Sequence, residues 1–186
     1  MIKWCDEYYN NYVKNYLLKM LHKYCSNQLD DLCVLDTTLS SYWIDFYLHT
    51  IQAPIVISLG NTDSVSYKYL DINNYDFLRR PLYESIGPFI NQYNVVHVLD
   101  SFTYEMDDNK WKKSVDVLCS YLKKDGFMIV SGNLQTMHTS FATRDRSEGL
   151  WRAVINNSNC SIKSFVKMPV SVFTDIPHDI LIVGKK

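Results

Sequence analysis

Short polar side chains follow three apolar runs of the sequence, each at the point where the run stops. Runs of this kind suit buried strands of a parallel sheet. The carboxyl ends of parallel strands meet at one edge, where open α/β sheets bind their ligands, so these polar groups are expected near one another. The residues are Asp36 after residues 32–35, Asn61 and Asp63 after residues 54–59, and Asp100 after residues 95–99.

Several other side chains could take part in chemistry, and most of them have a structural alternative. Asp100 is either a group facing the crevice or a turn and capping residue. Tyr104 follows it, and His138 lies in a polar segment where it is either a general base or a solvent-facing side chain. Residues 144–146 either bind an anionic substrate or form a solvated loop. His97 lies within an apolar run, where packing is the expected role.

The segment from residue 94 to residue 133 predicts a strand, a helix and a second strand. Asp107 can cap the helix, Lys123 and Lys124 suit its last turn, and Gly126 suits a left-handed residue that ends it. Two short strands joined by one helix predict a parallel pair with a right-handed connection. Apolar residues recur along one stripe of the helix at Trp111, Val115, Leu118 and Leu122.

The same periodicity arguments predict the elements on either side of this unit. Together they predict an α/β fold with helices on both faces of the sheet. The predicted helices cover residues 3–25, 42–51, a segment starting at Pro81, and 147–155; the predicted strands cover 32–36, 54–59, 67–72, 162–170 and 180–183, the last two as an antiparallel hairpin.

Length, charge and cysteine content narrow the class of protein. The 186 residues predict a single domain, with residues 1–28 as an N-terminal helical extension. A net charge of −1 argues against a strongly basic nucleic-acid surface. No apolar run approaches the length of a membrane span, and the polar amino terminus is unlike a signal peptide, so a cytoplasmic location is expected. Five cysteines without a C-x-x-C pair suggest neither a disulfide framework nor a zinc site.

The stretch VVHVLDSFTYEMDDNKWKKSVDVLCSYLKKDGFMIVSGN is similar to the fourth strand, following helix and fifth strand of the class I S-adenosylmethionine-dependent methyltransferases, a family that the chain resembles. The closing DILIVGKK resembles the seventh strand, which runs antiparallel to the others. The resemblance implies a doubly wound, mostly parallel seven-stranded sheet with a C-terminal antiparallel hairpin and an N-terminal helix.

The resemblance also implies a cofactor site for S-adenosylmethionine, although part of its motif is altered. The family has Asp-x-Gly-x-Gly after its first strand, whereas this chain keeps Asp36 but replaces both glycines. Asp100 is implied on both the cofactor and the acceptor side, with Tyr104 and His138 beside the acceptor. The implied cofactor residues are Asp36, Thr37, Thr38 and Ser40 in the loop, Asn61 or Asp63 at the ribose, Asp71 at the adenine, and Asp100. The alternative for Asp71 is a plain turn carboxylate.

The sequence leaves two functions from different classes open. The first is a methyltransferase that acts on an unidentified acceptor, either a small molecule or RNA. The second is an inactive methyltransferase-fold subunit that regulates a partner enzyme or binds RNA. Aromatic residues make up 14% of the chain and could form a surface for a protein partner or a second copy. A dehydrogenase-type nucleotide binder is less well supported, because it too requires the glycine turn.

The loop after the first strand decides between the two functions. An open crevice beside residues 37–41 would admit a cofactor, whereas packed side chains of Tyr42, Trp43 or Phe102 would exclude it. Serine and threonine are small replacements for glycine, so the sequence predicts a crevice that is weakened but still open.

Overall fold

The protein is built on one seven-stranded sheet, seen here in a computed structural model. The structure describes residues 2–26, 29–60, 69, 71–99, 102, 105–132, 144, 146–167 and 179–186, with side chains from residue 11 onward except those of Leu99 and Gly132. The strands are β1 (Cys33–Asp36), β2 (Ile55–Gly60), β3 (Tyr75–Arg79), β4 (Tyr93–Leu99), β5 (Leu122–Gly132), β6 (Cys160–Val166) and β7 (Asp179–Lys185).

The strand order across the sheet is β3-β2-β1-β4-β5-β7-β6. β1 to β5 pair in parallel, while β7 pairs antiparallel with both β5 and β6. The predicted mostly parallel sheet and the closing antiparallel hairpin are therefore confirmed. From β1 the chain first extends the sheet towards β3 and then returns to add β4 on the other side, so the order reverses between β1 and β4.

Helices cover both faces of the sheet, as predicted. Helix α1 (Ile2–Cys25) and the segment made of α2 (Ser41–Asp45) and a π-helix (Phe46–Thr50) pack on one face. Helices α3 (Asp108–Tyr121) and α4 (Glu148–Asn157) pack on the other. Because successive side chains of a strand point to opposite faces, each central strand contributes to both cores. Each face therefore has its own hydrophobic core.

The predicted strand, helix and strand at residues 94–133 are present, but the end of the helix differs from the prediction. Asp107 caps α3 and accepts hydrogen bonds from two backbone amides. The helix ends at Tyr121, so Lys123 and Lys124 lie beyond its last turn. The left-handed residue is Asp125, at φ 65°, rather than Gly126. Glycine is needed at 126 for a different reason, because a Cβ there would lie 2.8 Å from the carbonyl oxygen of Tyr93.

Two predicted elements before β4 are wrong. The third strand is Tyr75–Arg79. Of the predicted residues 67–72, Tyr69 lies in a 3₁₀ turn, Asp71 lies in a turn and Ile72 is irregular, and the other three lie outside the described residues. The helix expected from Pro81 does not form. The chain makes turns there instead, followed by one short 3₁₀ helix at Gly87–Phe89. The connection into β4 is therefore mostly irregular.

The four cysteines with described side chains are buried free thiols that lie on both faces of the sheet. Cys25 belongs to the α1 side, whereas Cys33, Cys119 and Cys160 belong to the α3 side. Burial raises the pKa of the Cys25 thiol to about 11, so this group stays protonated at neutral pH. Among the described helices, none is both long and apolar enough to cross a membrane.

Candidate functional site

The candidate site lies at the carboxyl ends of β1 and β4, where the strand order reverses. Open α/β sheets bind ligands at this position, because the two connections leave in opposite directions and a crevice remains between them. Asp36 is the last residue of β1, and the loop 37–40 follows it into α2. Thr37 joins the two strands, since its amide and its hydroxyl both donate to the carbonyl oxygen of His97.

The carboxylate of Asp36 holds the loop in place through hydrogen bonds. It is fully buried and accepts hydrogen bonds from the amide of Thr38 at 3.3 Å, the hydroxyl of Thr38 at 2.8 Å and the amide of Leu39 at 3.3 Å. Burial raises the pKa of Asp36 to about 7, although the hydrogen bonds from Thr38 and Leu39 act in the opposite direction. This carboxyl group is therefore a buried support for the loop.

The loop turns at Leu39, which has a left-handed backbone with φ 53°. The positions that align with the missing glycines, Thr38 and Ser40, are not the ones that adopt this conformation. The amide of Ser40 donates to the Thr38 hydroxyl at 3.2 Å, so the amides of residues 38 to 40 all bond within the loop. The Leu39 side chain lies against Gly60, where an added Cβ would be 2.6 Å from Leu39 Cδ1.

A buried histidine lies beside Asp36. His97 is the register partner of Asp36 on β4, and its Nδ1 is 3.7 Å from Asp36 Oδ1 and 3.0 Å from the Tyr47 hydroxyl. Burial lowers the pKa of His97 to about 3, so the ring is neutral. Its Nε2 has no hydrogen-bond partner among the described residues. The interpretation of His97 as a packed side chain agrees with this burial.

Tyr47 reaches His97 because the second half of the α2 segment is a π-helix. The wider turn carries Phe46, Tyr47 and Leu48 into the core together, and the amide of Ile51 donates to the Phe46 carbonyl at 3.0 Å. Single π-turns often occur at functional positions. Burial raises the pKa of Tyr47 well above its ordinary value, so its hydroxyl stays protonated. The ring of Trp43 then closes the cluster, edge-on to His97 at 4.6 Å.

A second cluster lies around Arg146, which contacts Phe102 and Glu105 after β4. Arg146 is buried, its guanidinium lies 4.8 Å from the Trp111 ring, and it pairs with Asp108 at 3.2 Å. This residue is therefore neither an anion site nor a solvated loop, and both interpretations of it are wrong. Arg144 also pairs with Asp108, and Asp145 lies outside the described residues. Arg146 donates hydrogen bonds to the carbonyl oxygens of Phe102, Arg144 and Glu105.

The structure brings together only part of the predicted site. Asp36, Thr37, Thr38 and Ser40 form the loop described above. Asp71 is exposed and precedes the amino end of β3, whereas the crevice lies at the carboxyl ends, so the structure does not bring it to Asp36. The other predicted site residues, Asn61, Asp63, Asp100, Tyr104 and His138, lie outside the described residues.

Sequence reasoning missed Leu39. It considered aromatic side chains as occupants of the crevice, yet Trp43 and Phe102 lie in the two cores and pack on His97 and Trp151. The available signal was one apolar residue inside an otherwise polar turn without glycine. That signal does not indicate which surface the leucine contacts.

Comparison with known proteins agrees with this geometry. No family model matches the sequence, and no curated protein sequence matches it significantly. Solved structures do match. A SAM-dependent methyltransferase of Methanosarcina mazei superposes with TM-score 0.70 at 12% identity, covering 89% of this chain and 96% of that one. Magnesium protoporphyrin IX methyltransferase (ChlM) of Synechocystis PCC 6803, with bound SAH, gives 0.69 at 14% identity, covering 92% and 81%.

A third similar structure is the methyltransferase of Haloferax volcanii in complex with the Trm112 methyltransferase activator. It superposes with TM-score 0.63 at 14% identity and covers 92% of both chains. The strand order, the antiparallel β7 and these superpositions together define the class. The chain has the class I S-adenosylmethionine-dependent methyltransferase fold.

Proposed function

We propose that the protein binds S-adenosylmethionine in the crevice above Asp36 and transfers its methyl group to an acceptor. The observation that carries this proposal is the ordered loop 37–40 at the point where the strand order reverses. In this fold class that position favours a ligand with both polar and apolar parts. The solved neighbours ChlM with bound SAH and ChlM with bound SAM support the same choice of cofactor.

The described residues fit the cofactor on one condition. Gly60 leaves the end of β2 without a side chain of its own, and Thr38 and Ser40 are small and polar. The Leu39 side chain occupies the space over Gly60, so it has to turn aside when a ligand enters. We expect the crevice to admit the cofactor once Leu39 has moved.

The bound cofactor would supply an electrophilic methyl group on a sulfonium centre. The residues of this chain then have to orient both reactants and exclude water, because aligning the acceptor with the methyl group provides most of the rate enhancement. Thr38 and Ser40 would face the amino-acid part of the cofactor, with Asn61 or Asp63 at the ribose. Asp71 precedes the amino end of β3 and is not part of this proposed site. We propose Asp100, Tyr104 and His138 as the acceptor-side residues, with His138 as the general base if the acceptor needs one.

Calorimetry with S-adenosylhomocysteine tests the proposal. The wild-type chain is expected to bind, and Thr38→Val is expected to bind roughly tenfold more weakly, because it loses the hydroxyl that joins Asp36 to the Ser40 amide. The matched control is Thr50→Val at the exposed end of the π-helix, which is expected to bind like the wild type. If 1 mM ligand gives neither heat nor a thermal shift, the proposal fails.

The acceptor class needs a separate measurement. Methyl-labelled S-adenosylmethionine is incubated with the protein and either bulk RNA or a low-molecular-weight extract, and the labelled fraction is identified. Label in RNA assigns a nucleic-acid acceptor, and label in the extract assigns a small molecule. If binding occurs without transfer to either, the protein is a binding module rather than a methyltransferase acting on these two classes.

The second candidate function is an inactive methyltransferase-fold subunit that binds a partner enzyme or RNA. The amides of residues 38 to 40 already bond within the protein, so they are not directed at a ligand. The Trm112 complex is an example of a methyltransferase of this fold with a protein partner. This alternative predicts no binding of S-adenosylhomocysteine and a partner that co-purifies with the chain.

A further inference from the structure

Leu39 combines two unusual features at one residue. Its backbone is left-handed, which an L-amino acid with a branched side chain adopts at a cost. Its side chain also contacts Gly60 on a neighbouring strand, at a distance that leaves no room for a Cβ. Neither feature serves the hydrophobic cores, because Leu39 is only half-buried and belongs to neither of them.

The geometry explains how the leucine comes to lie there. Asp36 pairs with Ser58, so Gly60 lies two residues beyond the level of Asp36 at the end of β2. The loop rises from β1, and the left-handed turn at Leu39 sends its side chain sideways over β2. The amide of Leu39 donates to Asp36 Oδ2, which holds the turn in place. Leu39 therefore covers the β2 side of the crevice.

We propose that Leu39 is an affinity-determining residue that closes the β2 side of the cofactor crevice and has to be displaced on binding. This inference rests on the proposed function and adds a mechanism of control to it. The end of β2 is where the ribose and adenine part of the cofactor is expected. Leu39 therefore opposes binding of the nucleoside part, whereas the amino-acid part contacts other residues of the loop.

The affinity for the cofactor depends on the fraction of molecules in which the crevice is open. If the crevice is open in only a fraction of molecules, the apparent dissociation constant rises by the inverse of that fraction. Truncating the leucine raises the open fraction and lowers the apparent constant. Leu39→Ala removes the branched end that contacts Gly60 but keeps the left-handed strain, whereas Leu39→Gly removes both.

The experiment compares the full chain with Leu39→Ala, Leu39→Gly and a matched control, Gln52→Gly. Gln52 is a second left-handed residue, at φ 57°, but it is exposed and precedes the amino end of β2, away from the crevice. Calorimetry uses three probes: S-adenosylhomocysteine, methylthioadenosine and homocysteine. Thermal unfolding without ligand verifies that each variant is folded.

Both Leu39 variants are expected to bind S-adenosylhomocysteine and methylthioadenosine roughly tenfold or more tightly, without a gain for homocysteine. Gln52→Gly is expected to leave every affinity unchanged. The inference is overturned if the wild type binds and the Leu39 variants bind no more tightly, or if Gln52→Gly gives the same gain. The proposed function, by contrast, is overturned if the wild type gives neither heat nor a thermal shift with 1 mM S-adenosylhomocysteine.

Discussion

Asp36 and His97 should give opposite pH dependences of stability, and single substitutions should separate them. The folded-state pKa of Asp36 is about 7, above its ordinary 3.8, so the folded protein holds a proton that the unfolded chain releases. The folded-state pKa of His97 is about 3, below its ordinary 6.5, so the unfolded chain holds a proton that the folded protein lacks. Asp36 therefore makes stability fall as pH rises from about 4 to 7. His97 makes stability rise as pH approaches 6.5 from below.

The magnitude follows from one proton per group. Each group changes the free energy of unfolding by about 1.4 kcal/mol per pH unit within its window. Between pH 4.5 and pH 6.5 the two slopes oppose one another, so this pair leaves the wild-type stability nearly flat. The other titratable groups that face Asp36 are Tyr47 and Tyr75, whose pKa values are raised by burial, so both stay neutral throughout this range.

Urea unfolding at pH 4.5, 5.5 and 6.5 measures both slopes. Between pH 4.5 and pH 6.5 the free energy of unfolding of Asp36→Asn should rise by about 3 kcal/mol relative to that of the wild type, because only the His97 slope remains. His97→Asn should lose a similar amount, because only the Asp36 slope remains. The control Asp30→Asn changes an exposed carboxylate and should follow the wild-type curve. If both core variants show slopes of the same sign, the assignment of a protonated Asp36 beside a neutral His97 is refuted.

Two stability predictions test the close contacts of the fold. Gly126→Ala should destabilise the protein by about 1–3 kcal/mol in urea unfolding, because the added Cβ meets the backbone of Tyr93. The control Gly87→Ala has open space around it and should have a small effect or stabilise the protein. Equal results for the two would contradict the contact. Arg146→Met should cost about 3 kcal/mol through its buried hydrogen bonds, and Arg152→Met, at an exposed ion pair, less than about 0.5 kcal/mol. Similar losses would show that the burial of Arg146 contributes nothing to stability.

The unit from β4 to β5 was predictable because its signals are local and agree with one another. Apolar runs mark β4 and β5, and an acidic cap with a 3.6-residue stripe marks α3. The third strand lacked such agreement. Residues 67–72 and Tyr75–Arg79 are both short and aromatic, and pairing with Val56 to Gly60 on β2 selects the second segment. Strand pairing across the sheet does not appear in a local pattern.

In the candidate site, too, the features with local sequence signals were predictable, and those that depend on contacts between strands were not. The sequence placed Asp36 at the end of β1 and established that the glycines are absent. It did not indicate that Leu39 adopts the left-handed turn, because the turn depends on hydrogen bonds to Asp36 and on the missing side chain at Gly60, in a different strand. Similarly, the sequence left Arg146 as either an anion-binding or a solvated side chain, because its hydrogen bonds to the carbonyl oxygens of Phe102 and Glu105 join residues that are distant in sequence.

Because thiols are buried on both faces of the sheet, their alkylation rates report separately on the opening of each helical layer. Cys25 is carried by α1 on one face, and Cys119 and Cys160 join α3 to β6 on the other. Alkylation needs an exposed thiolate, so each thiol reacts only while the layer above it is open. The alkylation rate of Cys25 therefore measures how often the N-terminal helix α1 undocks from the sheet. In the same experiment, the alkylation rates of Cys119 and Cys160 measure how often α3 separates from the sheet.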